Sequence, residues 1–310
     1  MYYAPDIRAG FLPEELEIIK AYGLPMYEVP QDFKPDVTII ADSVYPWVKD
    51  CGKLVNVGHG VLSKGQYYTD TEMARREELA DVICVPGVYH KEIMEKIVSK
   101  AVIATGMAKL DGLFGKHESD IKYQLSGIEK RGKFTVLFAP TFNDELSAIP
   151  FVKDKINEVL PDNDSVLYIK LHGSTAEKYK DAYSRLPLID ERVIYITDHD
   201  ITPYLEIADV LISDVSSVMM EFAALDKPVV LFNNPNQKAY KNYNPYDLEY
   251  TQRDIGYQVS TLEEMKFAVL KIHRGNDPYK EKRKEITDML FANKYDGKAT
   301  ERIEEIVLSV

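Results

Sequence analysis

The sequence predicts a doubly wound α/β protein built as two Rossmann-like halves. Three observations carry this. Short apolar runs alternate with amphipathic stretches along the chain. Most of the runs are continuous, as in strands buried on both faces of a parallel sheet. The series halts in a polar stretch between Leu113 and Lys133 and restarts at Phe134, which reads as a linker between two sheets.

Pro13-Glu14-Glu15 opens the first helix, with acids where the helix dipole favours them. The strands expected before the linker are Val37–Ala41, Leu54–Val57, Val82–Val85 and Ala101–Thr105, with helices at Thr71–Leu79 and His90–Ser99. After it come strands Phe134–Ala139, Val166–Leu171, Val193–Ile196, Val210–Ser213 and Val229–Phe232. Helices at Phe151–Leu160, Pro203–Ala208, Ser217–Leu225 and Leu262–His273 accompany them. At 310 residues the chain exceeds the ~250–300 at which a single core stops growing. The expected domains are 1–125 and 126–310, with the last helix packing back on the first domain.

Composition narrows the function. A net charge of −12 argues against a nucleic-acid binder, which presents a basic face, and gives no bulk attraction to an anionic membrane. The one dense basic run, Lys280, Lys282, Arg283 and Lys284, is interleaved with Glu281 and Glu285 and reads as a solvated helix face. No apolar run reaches the ~18 residues of a membrane span, and Met1–Gly10 lacks the pattern of a signal peptide. Cys51 and Cys84 make no disulfide framework. These features lead to the expectation of a cytoplasmic protein.

In open parallel sheets ligands bind beyond the carboxyl ends of the strands, and those positions are distinctive here. Val57 is followed by Gly58-His59-Gly60, and Ala139 by Pro140-Thr141-Phe142-Asn143-Asp144. Leu171 is followed by His172-Gly173, and Ser213 by Asp214-Val215-Ser216-Ser217. The last turn leads into a helix whose free N–H groups form an anion site, with the Ser216 and Ser217 hydroxyls as further donors. Glu221, four residues beyond Ser217, shares its helix face and suits ribose hydroxyls; the plainer alternative is a serine that merely caps the helix.

Period-two alternation places Lys170 and His172 on one side of their strand, where an imidazole can donate to phosphate or move a proton. His59, between two glycines, is placed as a general base, with Lys64 in the same loop. Asp144 orients an imidazole or caps a helix, and Asp111 lies near the linker. Walker, nucleophile-elbow, zinc and Gly-x-Gly-x-x-Gly patterns are missing from the sequence, so neither a metal nor a cofactor is expected.

Taken in order, these segments resemble the CDP-glycerol glycerophosphotransferase family, the teichoic acid primases and polymerases. The segments are Gly58-His59-Gly60, Gly106-x-x-x-x-Asp111, Phe138-Ala-Pro-Thr-Phe-Asn-Asp144, Ile169-Lys-Leu-His172, Ile207 through Ala223, and Lys227-Pro228. The resemblance implies a GT-B-like fold and transfer of glycerol phosphate, or a related polyol phosphate, from a CDP-linked donor to an acceptor hydroxyl with release of CMP. It makes His59 and His172 catalytic, with Asp144 beside them. Thr141, Lys170, Asp214, Ser216, Ser217 and Glu221 then fall on the donor side, and Lys64 and Asp111 on the acceptor side. The implied acceptor is a polyol phosphate or glycan, lipid-linked or free, met with weak membrane association at the inner face. The rival readings are a GT-B glycosyltransferase and a non-catalytic polymer-binding module. The sequence departs from the family at Val61-Leu62 after His59-Gly60, at Asn143, at Val215 and at Lys109-Leu110-Asp111.

Overall fold

The computed structural model describes residues 35–41, 44, 51–58, 60–114, 131–291 and 295–310. The helix expected at Pro13, most of the linker, and His59 lie outside them.

Strands β1 (Val37–Ile40), β2 (Lys53–Asn56), β3 (Val82–Val85) and β4 (Ala101–Ala104) form one parallel sheet in that order. A second sheet holds β5 (Phe134–Phe138), β6 (Ser165–Ile169), β7 (Val193–Tyr195), β8 (Val210–Ser213), β9 (Val229–Phe232) and β10 (Gly256–Val259). All its pairings are parallel, in the order β7-β6-β5-β8-β9-β10. That is the order 3-2-1-4-5-6 of a dinucleotide-binding fold. β3, β5, β6, β8 and β9 are buried along their whole length, which is why their sequences are continuous apolar runs.

The helices are α1 (Glu72–Arg75), α2 (Val88–Met94), α3 (Asp111–Phe114), α4 (Ile149–Val152), α5 (Glu177–Ser184), α6 (Thr202–Ile207), α7 (Val218–Ala223), α8 (Leu248–Thr251), α9 (Leu262–His273), α10 (Lys280–Phe291) and α11 (Ala299–Ser309). α9 shows how the sequence sets them. Thr261 caps it by accepting from the Glu264 N–H at 3.2 Å, and Glu264 reaches back to the Ser260 N–H at 2.7 Å. Met265, Ala268, Val269 and Ile272 recur at helical spacing and are buried. The helix expected at Phe151–Leu160 is instead the short α4 followed by a 3₁₀ segment, Lys153–Val159, with Lys153 at φ 49°.

The two sheets share a core. Val61, Leu62 and Leu110 from the first pack in one cluster with Leu137, Val218, Met219 and Phe222 from the second. α10 bridges the halves, packing against α2 and α7. Gly87 permits the crossing, because a Cβ there would lie 1.9 Å from the Leu290 carbonyl oxygen. α11 returns to the first sheet, setting Ile303, Ile306 and Val307 against Val55, Val82 and Cys84. The basic run in α10 is compensated by acids within the helix and beside it. Lys280 pairs with Asp226, Lys282 with Glu285 and Lys284 with Asp288. Arg283 is buried and binds Asp226 and Asp277 at 3.1 and 2.7 Å.

Candidate active site

β5 and β8 are neighbours whose onward connections run in opposite directions across the second sheet. The crevice beyond their carboxyl ends is the place where this topology binds ligands. The loop Pro140–Asp144 and the turn Asp214–Ser217 both start there.

Asp214 builds the turn from inside. Its buried carboxylate accepts from the backbone N–H groups of Thr141, Ala148 and Val215 at 2.9, 3.0 and 2.8 Å. Burial pushes its pKa up to about 6 despite these hydrogen bonds. Arg253 holds the same turn from behind, donating to the carbonyls of Asp214, Glu249 and Phe232 at 3.0, 3.1 and 3.1 Å. Asp214 and the Thr141 backbone therefore position the loop. They fix its shape rather than present charge to a ligand.

Ser217 faces the other domain. Its hydroxyl donates to the Leu62 carbonyl and accepts from the Leu62 N–H, both at 3.1 Å. It makes no capping bond to α7, so neither the capping role nor a hydroxyl directed only at a donor describes it. Gly60 makes the approach possible, since a Cβ there would meet the Ser217 hydroxyl at 2.9 Å. Within its own domain the same loop is tied to Asn56, Tyr68 and His90. Asn56 accepts from the Gly58 N–H at 2.9 Å, Tyr68 donates to the Gly60 carbonyl at 3.1 Å, and His90 Nε2 lies 3.0 Å from the Val61 carbonyl. Full burial pulls the His90 pKa down to about 4. The neutral imidazole therefore donates this bond. The loop that carries His59 is gripped from both domains on either side of that residue.

Cations converge on the same crevice. Lys109, from the first domain, donates to the buried Glu221 carboxylate at 2.6 Å. Glu221 does share the face of Ser217, and both meet the opposite domain. Lys170 is half-buried, with its pKa lowered by burial against the pull of Asp198 and Asp200, and Lys109 lowers it further. His172 accepts from the Ser174 N–H at Nδ1 (3.0 Å), which places the neutral ring's proton on Nε2. Its ring packs on Phe142 with centroids 4.7 Å apart. Lys64 Nζ stands 5.7 Å from the Phe142 ring, with burial lowering its pKa and Asp214 and Glu249 raising it.

Two expected residues stand apart. Asp111 accepts from the N–H groups of Ala299 and Thr300 at 2.9 and 2.7 Å and so caps α11. Asp144 is exposed, accepting from the Tyr179 hydroxyl at 3.2 Å with Lys178 at 4.0 Å. The roles of Lys109 and Arg253 emerge only in the fold. Lys109 had a sequence signal, its place in the turn after β4, whereas Arg253 sits in a stretch without one. Among the described residues no group of three His, Cys, Asp or Glu side chains is placed to hold a metal, and no helix is long and apolar enough to cross a membrane.

Comparison with known proteins agrees with this geometry. The teichoic acid glycerol-phosphate primase of Bacillus spizizenii is 34% identical over 134 residues, 42% of this chain and 32% of that protein. The teichoic acid poly(glycerol phosphate) polymerase of the same organism is 31% identical over 194 residues, 56% of this chain and 47% of that protein. The chain thus spans about a third to a half of these relatives' length. The wall teichoic acid polymerase TagF superposes with a TM-score of 0.67 at 19% identity, over 88% of this chain and 72% of TagF, which establishes the GT-B-like fold. The model of the CDP-glycerol:poly(glycerophosphate) glycerophosphotransferases matches residues 48–309, and the chain belongs to that family.

Proposed function

We propose that the protein transfers glycerol phosphate, or a related polyol phosphate, from a CDP-linked donor to an acceptor hydroxyl and releases CMP. One observation carries the reading. At the switch point of the second sheet, the Ser216–Ser217 turn, the His172 ring and the Lys109–Lys170 pair converge opposite the loop that carries His59. With His59 taken as the general base, this arrangement supports phosphoryl transfer, which needs phosphate-binding groups beside a base.

The chemistry is one in-line displacement at phosphorus. The acceptor oxygen bonds to the phosphorus of glycerol phosphate while the phosphorus–oxygen bond to CMP breaks. His59 takes the acceptor's proton. His172 donates from Nε2 to the leaving phosphate, and Lys170 and Lys109 offset its charge. Oriented donors of this kind contribute ~10²–10³-fold each. The acceptor, lipid-linked or free, is met at the inner face of the membrane.

The test is CMP release from CDP-glycerol, CDP-ribitol and UDP-sugars with candidate acceptors. His172→Ala is expected to lower turnover of a CDP-polyol by ~10²-fold or more and to weaken CDP binding. Release of UDP from a sugar donor, with both CDP-polyols inert, would replace the reading with glycosyl transfer.

A further inference from the structure

A separate, open cavity of about 120 Å³ lies at the domain seam beside Lys64. Tyr68 and Tyr89 line it from the first domain, and Asn244, Tyr246, Asp247 and Glu249 from the second. Asp247 and Glu249 are 8% and 1% exposed. Asp247 Oδ1 accepts from Asn244 at 2.7 Å, while its Oδ2 and Glu249 Oε1 have no hydrogen-bond partner. Buried carboxylate oxygens without donors are costly and call for an explanation. A ligand that brings hydroxyl donors supplies one. Tyr246, 86% exposed, offers an apolar ring face at the same pocket.

The lining also says what is not bound. Two carboxylates repel a phosphate. Burial pushes the Glu249 pKa up to about 7, with Asp247 raising it further and Lys64 pulling it down, which weakens the negative field that would draw a cation. What remains is an uncharged group rich in hydroxyls with an apolar face.

We propose that the seam pocket binds a neutral sugar ring, its hydroxyls donating to Asp247 and Glu249 and its C–H face lying on Tyr246. The placement of this sugar in the acceptor rests on the transferase reading above; the binding itself does not. The pocket adjoins the loop after β2, so it would hold the uncharged glycan part of an acceptor whose hydroxyl reaches the crevice.

The experiment is saturation-transfer NMR and calorimetry on the full chain with methyl glucoside, methyl mannoside and lactose. Choline and glycerol 3-phosphate serve as charged controls, and CDP is titrated in parallel. At least one neutral glycoside is expected to bind, and Tyr246→Ala and Asp247→Ala are each expected to weaken it about fivefold or more while leaving CDP affinity unchanged. No signal from any neutral glycoside overturns the proposal. So does tighter binding of choline or glycerol phosphate that either variant abolishes, or glycoside binding indifferent to both variants. Loss of CDP binding by the unaltered protein counts against the transferase reading alone.

Discussion

Ser217→Ala removes one oxygen and, with it, both hydrogen bonds joining α7 to the loop after β2. Each such bond contributes ~0.5–1.5 kcal/mol net, so the pair is worth ~1–3 kcal/mol. The upper half of that range applies, because Leu62 is only 5% exposed and its orphaned N–H and carbonyl gain little water. A change of 1 kcal/mol moves Tm by ~2–4 °C in domains of 150–250 residues. Thermal unfolding without ligand should therefore shift down by roughly 4–12 °C. Amide exchange at Leu62 should accelerate, and turnover should fall because the His59 loop loses a fixed point. CDP affinity should stay within about twofold. Unchanged Tm and exchange combined with a loss of CDP affinity would refute the reasoning and place the hydroxyl on the donor.

Three further outcomes can be stated. Gly87→Ala sets a Cβ 1.9 Å from the Leu290 carbonyl oxygen and 2.6 Å from its carbon, where only backbone can yield; the cost should reach ~3 kcal/mol or more, and wild-type Tm would contradict it. Lys109→Met strips the buried Glu221 of its 2.6 Å partner. After discounting for the half-exposed lysine, this should cost ~1–3 kcal/mol and raise the donor KM, with Lys109→Arg restoring much of both. For pH, the buried neutral His90 titrates at about 4 when folded against 6.5 for an ordinary histidine. The unfolded chain takes up a proton that the folded one refuses, so this group removes stability as pH falls from about 6.5 to 4. The full loss is ~3 kcal/mol. Urea titrations across that window should show wild type losing ground to His90→Gln by about that amount, and parallel curves would exclude the mechanism.

Much of the fold was legible because buried parallel strands write themselves as apolar runs. All nine expected strands are present. β10 was missed because Gly256-Tyr-Gln-Val259 is half exposed at the sheet edge and lacks that signature. α5 was missed because only Tyr183 is buried on it. At the site, the turn at Ser216–Ser217 and the loops at Thr141 and His172 were visible as polar punctuation after strands. What each side chain touches was not. Ser217 and Leu62 are 155 positions apart, Lys109 and Glu221 112, and Asp111 and Ala299 188. Such pairs exist only once two domains have docked, and no local periodicity encodes a docking. Asp111 shows the result: a conspicuous acid whose carboxylate serves a helix from the far end of the chain.

Beyond the shared apolar core, the seam is joined in two chemically different ways. At Ser217 and Lys109 the joints are side-chain hydrogen bonds, which an incoming hydroxyl or phosphate can exchange for its own. At Gly87 the joint is backbone against backbone, with nothing a ligand could replace.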